Sequence, residues 1–195
     1  MEALNRASPP RHQKPGKYRM TREQYHQLGE QGAFEGLKVE LLEGEIIVMS
    51  PMDAAHAFPM MELEHLLHEN RPKGVRVRTQ LPIAPDDEES EPEPDFALVP
   101  EGTQRNGSDA TTALLAIEVA NTSLRDDLQR KARIYARAGI PEYWVVDVKK
   151  RELIVHRSPS GEKYRSVKHL KDLSEVTCSS VPGLVLDLRN IFIKR

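Results

Sequence analysis

One carboxylate stands in the middle of an apolar run, Leu114-Leu115-Ala116-Ile117-Glu118-Val119-Ala120. Such a run predicts a strand buried on both faces. An ionised glutamate there is costly unless a cation meets it. Asp95 opens a second apolar strand, Phe96-Ala97-Leu98-Val99, and Pro94 before it favours an extended approach. Lys131 falls on the inner stripe of the next helix, where Leu124, Leu128, Lys131, Tyr135 and Ala138 recur at spacings of four, three, four and three. Two acids and a lysine aimed at apolar core suggest a site for a divalent cation. Hard oxygen ligands without paired cysteines suit Mg2+ or Mn2+ rather than zinc. Each residue also has a plainer reading. Lys131 can snorkel along its stem or pair with Asp127 at i−4, Glu118 and Lys131 can form a structural ion pair, and Asp95 can be a strand-entry turn residue.

The elements that position these groups follow from periodicity and punctuation. Thr21 predicts an N-cap for a helix from Arg22 to about Glu30. Two apolar runs, 38–42 and 45–49, flank Glu43-Gly44 and read as a β-hairpin. Asp53 caps a helix to about Asn70, with Met60, Leu63, Leu66 and Leu67 on one face. A strand over 75–84, kinked at Pro82, leads to an acidic loop, 86–94. Strands 95–99 and 113–120 enclose a loop rich in Gly, Thr and Asn. Thr122 or Ser123 starts a helix to Ala138, which Gly139 terminates and Pro141 forbids to continue. Strand 142–148 is apolar enough to be central; Tyr143 and Trp144 read as sheet packing and Asp147 as a turn residue. A hairpin pairs 152–157 with 162–168 through Pro159-Ser160-Gly161, and the C-terminal part adds a short strand and a final turn of helix. The order is mixed α/β, and its strand–helix–strand unit predicts a right-handed parallel crossover.

Composition limits the function classes. The chain has 195 residues, 30% charged and 38% hydrophobic, which suits one domain over 20–195 behind a disordered basic tail, 1–19. No apolar stretch has the ~20 residues of a membrane span, and the first residues lack a signal-peptide core. A single cysteine, Cys178, excludes an intrachain disulfide and a Cys-based zinc site; these features point to the cytoplasm. The net charge of −2 argues against a bulk electrostatic nucleic-acid binder. The basic residues Arg125, Arg130 and Arg133 lie beside the Glu118–Lys131 pair in sequence and can contact phosphates. His65 and His68 on the second helix lack a matching second motif, while His56 near its start can cap that helix or line the site. No glycine-rich phosphate loop, Gly-x-Ser-x-Gly elbow or Cys/His dyad occurs.

Several segments together resemble the Uma-type putative restriction endonuclease family, once a domain of unknown function and a branch of the PD-(D/E)XK nuclease superfamily. They are Glu93-Pro94-Asp95, Ile117-Glu118-Val119 with Thr122-Ser123, Asp127-x-x-x-Lys131-x-x-x-Tyr135 and Gly139-Ile140-Pro141-Glu142-Tyr143-Trp144-Val145-Val146-Asp147. Upstream, Glu40-Leu41-Leu42-Glu43-Gly44-Glu45 and Met49-Ser50-Pro51 with His56 look like its N-terminal signature, so the resemblance covers about residues 18–193. It implies a restriction-endonuclease-like fold, a mixed central sheet flanked by helices. It implies Mg2+-dependent or Mn2+-dependent hydrolysis of DNA by a homodimer, with metal held by Asp95, Glu118 and the Val119 carbonyl. The superfamily lysine two residues after the glutamate falls here on Ala120, and its role maps onto Lys131; Glu40 joins as a further acid. The rival expectation is a non-catalytic module that keeps the fold and binds nucleic acid or protein.

Overall fold

The computed structural model describes residues 16–49, 53–85, 87–103 and 113–192. The first fifteen residues of the basic tail, 50–52 of the Met49-Ser50-Pro51 segment, Asp86, most of the 100–112 loop and the last three residues lie outside them.

Helix α1 (Arg22–Glu30) begins at Thr21 in a capping box, with Thr21 and Gln24 side chains satisfying each other's backbone N–H groups. Strands β1 (Val39–Leu42) and β2 (Glu45–Val48) form the expected hairpin. Its turn takes Glu43 at φ 51° and Gly44 at φ 76°, the two positive values of a type I′ turn. A Cβ on Gly44 would also meet Arg19 at 2.5 Å, so only glycine fits. Helix α2 (Ala54–Asn70) is capped by Asp53 and buries Met60, Leu63 and Leu67.

Six strands build the central sheet: β3 (Val75–Thr79), β4 (Phe96–Pro100), β5 (Leu115–Ala120), β6 (Glu142–Asp147), β7 (Glu152–Ser160) and β8 (Lys163–Leu170). They lie side by side in that order, antiparallel throughout except the expected parallel pair β5–β6. β5 and β6 are buried along their whole length. One face carries Phe96, Leu98, Leu115, Ile117, Val119, Trp144 and Val146 against α2 and the C-terminal segment, which contains β9 (Val176–Thr177) and β10 (Val185–Leu186). The other face is alanine-rich and aromatic, with Ala97, Ala116, Ala120, Tyr143 and Val145 under the crossover helix.

That helix departs from expectation. It runs as α3 (Leu124–Asp126), a π-helical turn (Asp127–Lys131) and α4 (Ala132–Arg137). Ser123 does not cap its backbone; its hydroxyl donates to Asp127 Oδ2 at 2.6 Å. The C-terminal end is as expected: Gly139 takes φ 71°, and the N–H groups of Gly139 and Ile140 return to Ala136 and Tyr135. The 75–84 strand stops at Thr79, because Gln80 turns left-handed at φ 48° and donates its N–H to Asp95 O. The 152–168 hairpin turns at Gly161-Glu162, two positions before Lys163, so Pro159 and Ser160 belong to β7. No helical turn closes the chain among the described residues; 189–192 are turns and bends. Among them, too, no helix is long and apolar enough to cross a membrane.

Candidate active site

The alanine-rich face brings the sequence-derived acids together. β4 and β5 pair Phe96 with Ile117, so one further step of that register sets Asp95 opposite Glu118. Alternation then puts both acids on the face of Ala97 and Ala116, under the crossover helix. Asp95 Oδ2 accepts the Val119 N–H at 2.7 Å. Val119 thus meets Asp95 through its amide. Lys131 turns inward and is 3% exposed. Its Nζ donates to Glu118 Oε1 at 3.0 Å and lies 3.1 Å from Glu40 Oε2. Glu40 arrives from β1, and the same oxygen accepts the Glu93 N–H at 3.1 Å. Of the plainer readings of Lys131, snorkelling is excluded, and its close partners are Glu118 and Glu40 rather than Asp127.

Three further groups complete the cluster. Tyr135 OH donates to Glu118 Oε1 at 2.8 Å. Asp127 is buried one helical turn before Lys131. His56, in the first turn of α2, places Nε2 3.6 Å from Asp95 Oδ2. That exceeds hydrogen-bond reach, and the buried Nε2 has no hydrogen-bond partner among the described residues. His56 therefore lines the site. The Asp127-x-x-x-Lys131-x-x-x-Tyr135 spacing carried the signal for Asp127 and Tyr135, since i and i+4 positions share a helix face.

The charge balance is lopsided. Four buried acids, Glu40, Asp95, Glu118 and Asp127, share one buried ammonium. Burial pushes the Glu118 carboxyl well above the usual range; Lys131 opposes this, while Asp127, Asp95 and Glu40 add to it. Burial likewise raises Asp127 to about 6, against Lys131 and the Ser123 hydroxyl. For Lys131, burial favours the neutral amine, but the surrounding carboxylates outweigh it and keep the ammonium charged. Asp95, outweighing burial, raises His56. The site is thus short of positive charge, and the Glu118 and Asp127 carboxyls are both pushed toward the neutral form.

Each of the three acids in contact with Lys131 or Val119 commits a single oxygen. Among the described residues no hydrogen bond reaches Glu118 Oε2, Glu40 Oε1 or Asp95 Oδ1. Hard oxygen donors left over beside an excess of negative charge fit a divalent cation. Among the described residues, however, no three His, Cys, Asp or Glu groups are already arranged around one ion position. His65 and His68 are exposed, and His65 pairs with Glu69 at 3.3 Å.

The basic helix face is largely engaged. Arg130 donates to Glu45 at 2.8 Å and Arg133 forks onto both oxygens of Glu43, which ties the β1–β2 hairpin to the helix. Arg125 is exposed, and it lines an open cavity of about 440 Å3 with Thr122, Gln129, Arg130 and Arg133. The acidic loop is similarly accounted for. Arg22 gathers the carbonyls of Pro85, Asp87 and Ser90, Lys38 pairs with Glu93, and Arg137 pairs with Asp87.

Among solved structures, the fold is similar to a crystal structure described as a putative nuclease belonging to DUF820 from Anabaena variabilis. The TM-score is 0.70 at 16% identity, covering 89% of this chain and 97% of that one. No curated protein matches the chain. The pattern of the Uma2 family, described as putative restriction endonucleases, matches residues 22–189. With the shared fold and that near-complete match, the chain belongs to the Uma2 putative restriction endonuclease family.

Proposed function

We propose that the protein is a Mg2+-dependent or Mn2+-dependent endonuclease that hydrolyses DNA phosphodiester bonds at the Asp95–Glu118–Lys131–Glu40 cluster. One observation carries the reading: Glu118 and Glu40 close on the buried Lys131, Asp95 stands opposite Glu118 on the neighbouring strand, and among the described residues each carboxylate keeps one oxygen without a hydrogen bond. A divalent ion held by Asp95, Glu118 and the Val119 carbonyl would polarise the scissile phosphate and lower the pKa of the attacking water. Lys131 turns its ammonium from the carboxylates toward the phosphate and stabilises the charge that develops there. Glu40 holds Lys131 in reach from the opposite side. His56, beside Asp95, is placed to accept or return a proton at Nε2, which has no hydrogen-bond partner among the described residues. Arg125, in the open cavity after β5, positions a neighbouring phosphate of the backbone. A homodimer in the cytoplasm, with two related sites, would cut both strands of a duplex.

A second reading is favoured by the closed Glu40–Lys131–Glu118 arrangement: an ion-paired core in a module that binds nucleic acid or protein without cutting. A supercoiled plasmid separates the two. Nicking in Mg2+, abolished by EDTA and reduced at least ~10³-fold in Asp95→Ala and Glu118→Gln, is the expected outcome for a site supplying this much transition-state stabilisation. Equal nicking by wild type and Asp95→Ala removes this site from consideration. No nicking, with no heat of Mn2+ binding in calorimetry, establishes the second reading.

A further inference from the structure

We propose that Tyr135 is a positioning residue that fixes the Glu118 carboxylate so that a single oxygen, Oε2, faces the cation. This inference rests on the metal-dependent reading above. Tyr135 is fully buried, and its hydroxyl and the Lys131 ammonium both donate to the same oxygen, Oε1, at 2.8 and 3.0 Å. Two donors on one oxygen leave a carboxylate little freedom to rotate. They also direct the other oxygen away from both. Ligand carboxylates at metal sites are oriented in this way by outer hydrogen bonds.

The tyrosine is itself held by packing. Its ring meets Tyr143 edge-on, with centroids 4.9 Å apart at 61°. Tyr143 reaches in the other direction: its OH donates to the Asp127 carbonyl at 3.1 Å. That carbonyl also accepts the Ala132 N–H across the π-helical turn that presents Lys131. π turns mark places where a helix is adjusted to deliver a side chain. The two tyrosines are adjacent and equally buried, yet one hydroxyl touches a proposed ligand and the other only backbone. Nature has thereby supplied the control for the experiment.

Calorimetric titration with Mn2+, on full-length wild type, Tyr135→Phe and Tyr143→Phe, tests the proposal, with thermal melts in EDTA alongside. Tyr135→Phe is expected to bind Mn2+ about 10-fold or more weakly, the usual size of such an effect, and Tyr143→Phe within about 2-fold of wild type. Both melts are expected to fall by similar amounts. In a Glu118→Gln background the Tyr135→Phe change is expected to have no further effect on Mn2+ binding, because the group it orients is gone. Wild-type affinity in Tyr135→Phe, or an equal loss in Tyr143→Phe, overturns the role of Tyr135 and leaves the metal reading intact. Absence of Mn2+ binding by wild type overturns both. If Tyr135→Phe does not fold, an unchanged Mn2+ affinity on Tyr135→Leu, which also lacks a donor, overturns the proposal in its place.

Discussion

Glu118 and Glu142 sit on neighbouring parallel strands, both buried, on opposite faces of one sheet. Glu142 spends both oxygens: Oε1 takes the Trp144 indole N–H and Arg157, and Oε2 takes the N–H groups of Ser179 and Ser180. It staples the C-terminal segment to the aliphatic face. Glu118 takes two donors on one oxygen and none on the other, among three further acids. A buried carboxylate with full hydrogen bonding is structural; one left half-satisfied, in a field of like charge, is a candidate for a functional site. The Glu118 face carries Ala97, Ala116, Ala120 and Ala132 with Tyr135, Tyr143 and Tyr164, where the other face is filled by Leu, Ile, Phe and Trp.

The sharpest way to break this comparison is to remove each glutamate. Glu142→Ala strands Arg157, the indole and two backbone N–H groups. A loss of about 3–5 kcal/mol in urea melts is expected, with Mn2+ binding intact in the folded fraction. Glu118→Ala relieves crowded acids, and Lys131 keeps Glu40 as its partner. It strands only the Tyr135 hydroxyl, so its melt is expected to fall by about 1–3 kcal/mol, less than that of Glu142→Ala, with Mn2+ binding lost. Equal destabilisation by the two would show that Glu118 is as structural as Glu142.

A smaller effect follows from Asp127, whose burial raises its pKa from 3.8 to about 6. Between about pH 4 and pH 6 the unfolded chain loses this proton while the folded protein keeps it. Stability from this group is therefore fully present below pH 4 and falls as pH rises to about 6. The shift corresponds to about 3 kcal/mol at 1.36 kcal/mol per unit. Asp127→Asn keeps an acceptor for Ser123 and removes the titration. Its stability relative to wild type is expected to climb across that window and then level off. A constant difference from pH 4 to 7 would mean that Asp127 is not held neutral by its surroundings.

The contrast between the two glutamates was only half legible in the sequence. Glu118 stood out because it interrupts an apolar run, and the periodicity of β4, β5 and the crossover helix set Asp95, Glu118 and Lys131 on one face. Glu142 opens its strand directly after Pro141, where an acid looks like a surface residue. Its partners, Arg157, Ser179 and Ser180, come from later elements. Glu40 alternates normally on a hairpin and entered only through resemblance to the family. The π turn left no trace in the apolar spacing, since it shifts hydrogen bonds rather than residue types. The arginines read as phosphate contacts were mostly claimed by Glu43 and Glu45, about ninety positions earlier in the chain for Arg133. Local propensity and alternation fix elements and faces; long-range ion pairs decide which exposed charges remain available.

Glu40 raises the last comparison, because it reaches Lys131 on a separate two-stranded sheet, whereas Glu118 is locked in the centre of the six-stranded one. The β1–β2 hairpin is fastened to the helix by partly exposed pairs, foremost Arg133 on Glu43. Solvent screening limits such a pair to about 1 kcal/mol or less. Arg133→Ala is then expected to speed amide exchange in β1 and β2 by up to about 5-fold, a factor equivalent to that energy, through local opening. Exchange in β5 and β6 is expected to stay at the wild-type rate. If β5 accelerates equally, hairpin and central sheet open as one unit, and Glu40 is as firmly placed as Glu118. If only the hairpin responds, Glu40 is the member of the cluster that can withdraw from Lys131 while Glu118 stays in place.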